Sequence, residues 1–347
     1  MVCDGQSIMD SAVFYGFDST HYRSGDTLAF LKAMRSGSGI YEKVSYDGVT
    51  PVYGEEEDRI LTARLSGVRT SVQLRDLVME LIPRTPVYDT LRAGLLRAME
   101  SGTQEKVREL MGALNIYRWI HHHSFPRCIV VNIASATLCY YEQDSLRLRM
   151  KVVVGKPSTR TPRFAAWCDQ VVLYPYWNIP RKIAVNEFMP MFRRVPALAN
   201  AMNIQLLDSR GRVVDPASID WPRWNKRNFP YSMRQSTGCD NALGVIKFNL
   251  TSPYDVYMHD TNLKQAFHST YRYYSHGCIR LEKPFELGAA LLGDKLDTSF
   301  LALGLKDQQP LSVRLQMPVP VFVVYLTADI DAEGKLRFFK DIYHLLD

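Results

Sequence analysis

The chain is 347 residues long, with 46% hydrophobic residues, 22% charged residues and a formal net charge of +6, an ordinary globular composition with room for a sizeable core and more than one region. Its lysines and arginines are scattered and form no basic stripe or nucleic-acid module, which excludes nucleic acid as an expected partner and leaves an acidic or polymeric one open. No apolar run reaches the roughly 18 residues that span a bilayer, and Met1–Ser7 lack the basic and apolar regions of a secretory signal.

Residues 1 to about 116 read as mainly helical. Leu28, Leu31, Ala33 and Met34 make one apolar-periodic stretch, and Val72, Leu74, Leu77, Val78 and Leu81 make a second that Pro83 closes. Tyr88, Leu91, Leu95, Leu96 and Met99 make a third, opening after Pro86. Between the first two lie Ser36–Gly39 and the acidic run Glu55–Asp58. That run reads as a solvated helix start, because no histidine or cysteine stands at ligand spacing from it. The triplet His121–His123 reads as a solvated connection, since neighbours on an extended chain point to opposite sides.

From Arg127 the period changes. Cys128–Ile133, Thr137–Tyr141 and Leu148–Val154 are rich in β-branched and aromatic residues and predict strands, the last closed by Gly155. Further strands are expected at Gln170–Tyr174, Val245–Leu250, Asp255–His259, Val321–Leu326 and Leu336–Phe339, with a hairpin turn at Asp331–Gly334 and a helix at Pro284–Leu292. Residues 176 to about 235 break the pattern with Pro180, Pro190, Pro196, Pro216, Pro222 and Pro230 among Trp177, Phe188, Phe192, Trp221, Trp224, Phe229 and Tyr231. Proline at that density excludes a regular central strand. A long irregular insertion points to a lid or binding loop, with a satellite mini-core under its own aromatics as the alternative.

The stretch that carries chemistry runs from His259 to Arg280. Cys278 has His276 two residues before it across Gly277, and His259 ends the preceding predicted strand. A cysteine becomes a useful nucleophile when an imidazole or cation draws off its proton. Gly277 permits a tight turn and lets its N–H approach a substrate oxygen, where it would stabilise an oxyanion. Zinc held by Cys278, His276 and His259 would need a fourth ligand and a more usual spacing, so neither a metal nor another cofactor is expected. A structural cysteine beside a satisfied histidine is the bland alternative.

A histidine, a gap of fifteen residues and then Ser275-His276-Gly277-Cys278 resembles the catalytic signature of the L,D-transpeptidase (YkuD-type) family. The resemblance extends to Arg149–Pro157, Tyr174–Pro180, Val214–Pro216 with Asp220 and Trp221, Asn241–Phe248, Tyr257–Thr261 and the tail from Val324 to Tyr343. It is nearest to the large YcbB-like subgroup, and covers roughly residues 117 to 347. It implies an α+β fold: an antiparallel-rich, β-sandwich or barrel-like catalytic domain over 117–347 with a capping lid at about 176–235, beside a mainly helical accessory region over 1–116. The subgroup's peptidoglycan-binding helical module has no room here, since the helix ending at Trp119 follows Met99 almost at once.

The resemblance also assigns roles. Cys278 would be the nucleophile and His259 its base, oriented by a backbone carbonyl near Asp260. His276 and Gly277 would shape the oxyanion site, Ser275 would order the turn at the substrate, and Tyr257 would border the pocket. Trp177 and Asn241, in the matching stretches, would contact substrate. Arg280 stands where smaller members carry asparagine. The YcbB-like subgroup tolerates arginine there, and a guanidinium suits a substrate carboxylate. The implied partners are peptidoglycan stem peptides of the diaminopimelate type. The implied reaction is acyl transfer through a thioester, giving a 3-3 or a 1-3 crosslink, by a monomer in the periplasm with the cytoplasm as alternative. An L,D-carboxypeptidase or wall-peptide hydrolase on the same cysteine, and a non-catalytic wall-binding module, are the competing readings.

Cys3, Cys128, Cys139, Cys168 and Cys239 show no metal or disulfide spacing and read as small hydrophobes, with Cys239 at a turn. An odd number of remaining thiols in an oxidising compartment leaves at least one unpaired. His268 reads as a surface residue.

Overall fold

The computed structural model describes residues 5–17, 24–36, 55–122 and 125–346. Cys3, His123 and residues 37–39 of the Gly/Ser stretch lie outside them. Among the described residues no helix is long and apolar enough to cross a membrane. The chain forms two compact units: Met1–Arg149 with Pro162–Trp167 and Val319–Asp347, and Met150–Thr161 with Cys168–Pro318. These limits do not follow the expected division near residue 117. Strands β3 (Ser145–Gly155), β4 (Phe164–Leu173) and β13 (Leu311–Val324) each begin in one unit and end in the other.

The first unit holds the helices α1 (Gly5–Ser11), α2 (Thr27–Ser36), α3 (Glu55–Ser66), α4 (Ser71–Glu80), α5 (Pro86–Glu100) and α6 (Gln104–His122), and the three expected apolar stretches fall on α2, α4 and α5. The acidic run opens α3. Thr70 caps α4 in a capping box with Gln73, and Thr85 caps α5 with Pro86 in its first turn, so both starts are set by local side chains. Leu91, Leu95, Leu110, Leu114 and Trp119 are buried in one core with Val130 and Phe322. Trp119 meets Phe322 edge-on at 5.0 Å, which is why α6 belongs with these strands and not with a separate accessory domain. Arg118 is fully buried, its guanidinium donating to Met34 O and Tyr15 O at 3.0 Å and to Tyr88 Oη at 3.1 Å. Here β13 lies beside β1 (Arg127–Asn132), which pairs with it in parallel and with β2 (Thr137–Glu142) antiparallel. The hairpin β14 (Ala328–Ile330) and β15 (Leu336–Phe338) turns at Asp331–Gly334 as expected.

In the second unit, the sheet takes the order β11-β3-β12-β10-β9-β4, where β9 is Ile246–Leu250, β10 Met258–His259, β11 Tyr273–Ser275 and β12 Ile279–Leu281. The α+β class and antiparallel-rich sheet are those expected. The strand expected at Asp255–His259 is only two residues long, because the chain through Tyr257 is still leaving a loop. The proline-rich insertion differs more. It forms a four-stranded sheet, β5 (Trp177–Ile179), β8 (Ser232–Gln235), β6 (Ile204–Leu207) and β7 (Val213–Val214), with short helices between Arg181 and Ala201. Phe192, Trp221, Phe229 and Met233 are buried in its own core, and Trp221 stacks on Phe229 at 6.0 Å. The insertion is thus folded around its own core, with the prolines at helix starts and in loops, where no ladder bond is lost.

Candidate active site

The site is built on one face of the second unit's sheet. His259 of β10 stands opposite Lys247 on β9 and opposite Arg280 on β12. Residues directly opposite share a face, and so do residues two apart along a strand. Tyr257 and Cys278 lie just before β10 and β12: the Tyr257 ring is 5.6 Å from that of His259 and 4.0 Å under Lys247 Nζ, and the Lys247 and Arg280 charges both act on the Cys278 sulfur.

Cys278 is half-buried, and its thiol donates weakly to Asp255 O at 3.7 Å. Burial pushes the thiol above its usual range, while Tyr257, Lys247 and Arg280 pull it back. Tyr257 is pushed up by burial and by its closeness to Cys278, and the Trp177 indole N–H donates to its hydroxyl. His259 is buried, and its Nδ1 lies 2.5 Å from Asp260 O. A carbonyl oxygen only accepts, so Nδ1 carries the proton and Nε2 is left as a basic lone pair. Burial, with the nearby Arg280 and Lys247 charges, brings His259 down to about 3. The imidazole is neutral.

Asp260 is itself locked. Its carboxylate takes the Val245 N–H at 3.1 Å and an ion pair from Lys264. Gly244 has φ +59°, and a Cβ there would stand 2.1 Å from Asp260 Oδ2. Gly244→Ala is therefore expected to displace the carbonyl that orients His259, costing about 2–4 kcal/mol of stability and lowering turnover with it. Denaturant midpoints and turnover, measured together, check this. Normal stability with normal turnover would show that the Asp260 clamp is not needed.

The loop bearing Cys278 is braced from within. Ser275 Oγ donates to Cys278 O at 2.7 Å and accepts the Gly277 N–H at 3.1 Å. Thr161 Oγ1 donates to Gly277 O at 2.7 Å, and Thr159 Oγ1 to Ser275 O at 3.0 Å. Gly277 has φ 122°, a turn open to glycine alone. The Gly277 N–H expected to face an oxyanion is thus spent on Ser275. The Cys278 N–H, by contrast, makes no hydrogen bond among the described residues.

Other expected residues sort clearly. Trp177 borders the site through Tyr257. His276 is exposed, and its Nε2 lies 2.8 Å from Glu187 of the insertion, so its ring faces that segment and not the sulfur. Asn241 is buried, donating to Pro175 O at 3.1 Å and Ser236 O at 2.8 Å and accepting the Leu243 N–H at 2.7 Å. Its carboxamide thus braces the chain from within. Ser275 is likewise buried and braces the loop. Cys128, Cys139, Cys168 and Cys239 are free thiols, and His268 is exposed. Among the described residues no group of histidine, cysteine and carboxylate side chains could hold a metal.

Lys247 escaped the sequence reading. The signal was a single lysine inside the apolar run Val245–Phe248, but only strand register places it across from His259.

Residues 126–294 match the family model described as the L,D-transpeptidase catalytic domain, YkuD. A putative L,D-transpeptidase of Haemophilus influenzae is 32% identical over 321 residues, 92% of this chain, and the chain spans 64% of that protein's length. Among solved structures, an L,D-transpeptidase from Mycobacterium smegmatis is 15% identical, with 57% of this chain and 58% of that one covered at a TM-score of 0.25. The catalytic domain from the Enterococcus faecium L,D-transpeptidase is 14% identical, with 57% and 95% covered at 0.23. Likeness of that size is too slight to bear on this chain's chemistry.

Proposed function

We propose that this chain, whose residues 126–294 belong to the YkuD L,D-transpeptidase catalytic-domain family, crosslinks peptidoglycan stem peptides through a thioester on Cys278. The observation that carries the reading is His259: a buried neutral imidazole with Nδ1 committed to Asp260 O and Nε2 free, in the strand beside the one that Cys278 leads into. That is the state a general base needs before it takes a thiol proton.

In the first step the Cys278 sulfur attacks the carbonyl on an L-centre of the donor stem as His259 Nε2 takes the thiol proton. The new oxyanion lies near the Cys278 N–H, the amide left unspent in the loop. Arg280 receives a substrate carboxylate. The tetrahedral intermediate collapses, the C–N bond breaks, and the proton on His259 passes to the departing amine. In the second step the amine of an acceptor stem attacks the thioester carbonyl and His259 takes its proton; the C–S bond breaks, and the departing thiolate takes the proton back from His259. With Lys247 and Arg280 on either side, an imidazolium is costly, so the proton moves on quickly. Tyr257 and Trp177 wall the cleft, and the insertion that carries Trp177 and Glu187 keeps water from the thioester. A diaminopimelate-type acceptor and work in the periplasm as a monomer complete the reading.

The test is incubation of the purified chain with diaminopimelate-type muropeptides and identification of products by mass. Crosslinked dimers are expected, and fragmentation assigns the link as 3-3 or 1-3. Shortened monomers without dimers would replace transfer by hydrolysis. No product, together with no carbapenem adduct on Cys278, would overturn the enzymatic reading.

A further inference from the structure

Two cations on the site face have no anionic partner among the described residues. Among the described residues neither Lys247 nor Arg280 makes a hydrogen bond or an ion pair, though both are partly buried and burial lowers both. Leaving a charge out of water without an opposite charge is costly, and a fold keeps such groups where an anion will arrive. Arg280 has a substrate carboxylate to receive. Lys247 needs a different anion, and the geometry narrows the choice. Its Nζ lies 4.0 Å over the Tyr257 ring, and Tyr257 interacts with the Cys278 sulfur through both its N–H and its hydroxyl. Lys247 is held above the ring that touches the sulfur, on the opposite side of His259 from Arg280.

Resting on the reading of Cys278 as nucleophile, we propose that Lys247 is the positioning residue that supplies the counter-charge of the Cys278 thiolate. The thiolate exists only during turnover, as the attacking and then the departing sulfur, so in the resting site the lysine stands unpaired. The charged and titratable groups facing the sulfur are Lys247 from β9, Tyr257 and His259 from the β10 segment, and Arg280 from β12. Asp255 contributes a carbonyl. The Asp255 carboxylate acts on Tyr257, but among the described residues no carboxylate pairs with the lysine. Two consequences follow from one charge: the cation makes the thiol easier to ionise and makes His259 harder to protonate. Its loss moves both midpoints the same way, upward. A residue that merely filled space would move neither in a fixed direction.

The experiment is peptide-resolved alkylation of Cys278 by iodoacetamide across pH in the full chain, as wild type, Lys247→Met and Lys247→Arg, with His259 followed by NMR. In Lys247→Met the alkylation midpoint is expected to rise by about one pH unit, a roughly tenfold slower reaction at pH 7, and the His259 midpoint to rise too. Lys247→Arg, which keeps the charge, should stay near wild type. Coincident profiles for wild type and a folded Lys247→Met, or equal shifts in the Met and Arg variants, would overturn the proposal. Should Lys247→Met not fold, Lys247→Gln is judged on the same profile. Alkylation needs no wall peptide, so a shifted midpoint without muropeptide products would refute the transpeptidase reading alone, and crosslinking with unmoved midpoints would refute Lys247 alone.

Discussion

Cys278→Ala is expected to fold, to bind wall peptides and to form no covalent adduct. Its crosslinking rate falls by at least about three orders of magnitude, the usual cost of deleting a covalent nucleophile. The substitution removes one sulfur from a half-buried position and leaves the backbone bonds from Ser275 and Thr161 in place, so stability should change by no more than about 1 kcal/mol. Intact mass after exposure to donor peptide or a carbapenem, beside circular dichroism, separates the two effects. Residual crosslinking within tenfold of wild type would remove Cys278 from the centre of the mechanism.

Wild-type stability is expected to fall steeply below neutral pH, and His259→Gln to flatten that fall. Burial beside two cations holds His259 at about 3 in the folded chain, against about 6.5 when unfolded. Between these values the unfolded chain binds a proton that the folded one refuses. Stability therefore declines as pH drops from about 6.5 toward 3, by something on the order of 4 kcal/mol at full extent. Glutamine keeps much of the shape and does not titrate. Denaturant midpoints taken every half unit from pH 7 to 4 should show the variant losing less than wild type. Parallel curves would mean that the imidazole is protonated in the folded chain, and with it the neutral-base mechanism would fall.

The residues proposed as nucleophile and base, Cys278 and His259, stand out in the sequence because their chemistry is local. Ser275 through Cys278 form one turn, and a histidine at a strand end is a feature of spacing. The partners were legible only as far as side-chain type goes. Asn241 reads from sequence as a polar group available to substrate, yet its donors and acceptor are used within a few residues of itself and at Pro175. His276 sits one residue from Gly277 and two from Cys278, but its ring turns to Glu187, 89 positions earlier in the chain. Lys247 is the opposite case, a surface-type residue in an apolar strand that pairing alone carries to the base. Proline misled in the insertion. Its density does exclude long strands, but strands of two to four residues with helices between them still enclose a core. The three apolar periods before residue 116 fall on helices, while the packing after them was not legible in sequence, because the face of α6 that buries Trp119 needs Phe322, about 200 residues later.

That last dependence bears on how the protein is made. Strand β1 pairs with β13 in the register Ile129 to Val321, so its ladder partner is synthesised about 190 residues after it. At the usual pace of roughly 5–20 residues per second, β1 waits about 10–40 s on the ribosome with one edge unpaired. Its Ile129, Val130 and Val131, buried in the finished protein, are then open to any extended strand that passes. Nascent chains shorter than about 325 residues should therefore be insoluble without a chaperone, and the last thirty residues decide whether the first hundred and fifty stay in solution.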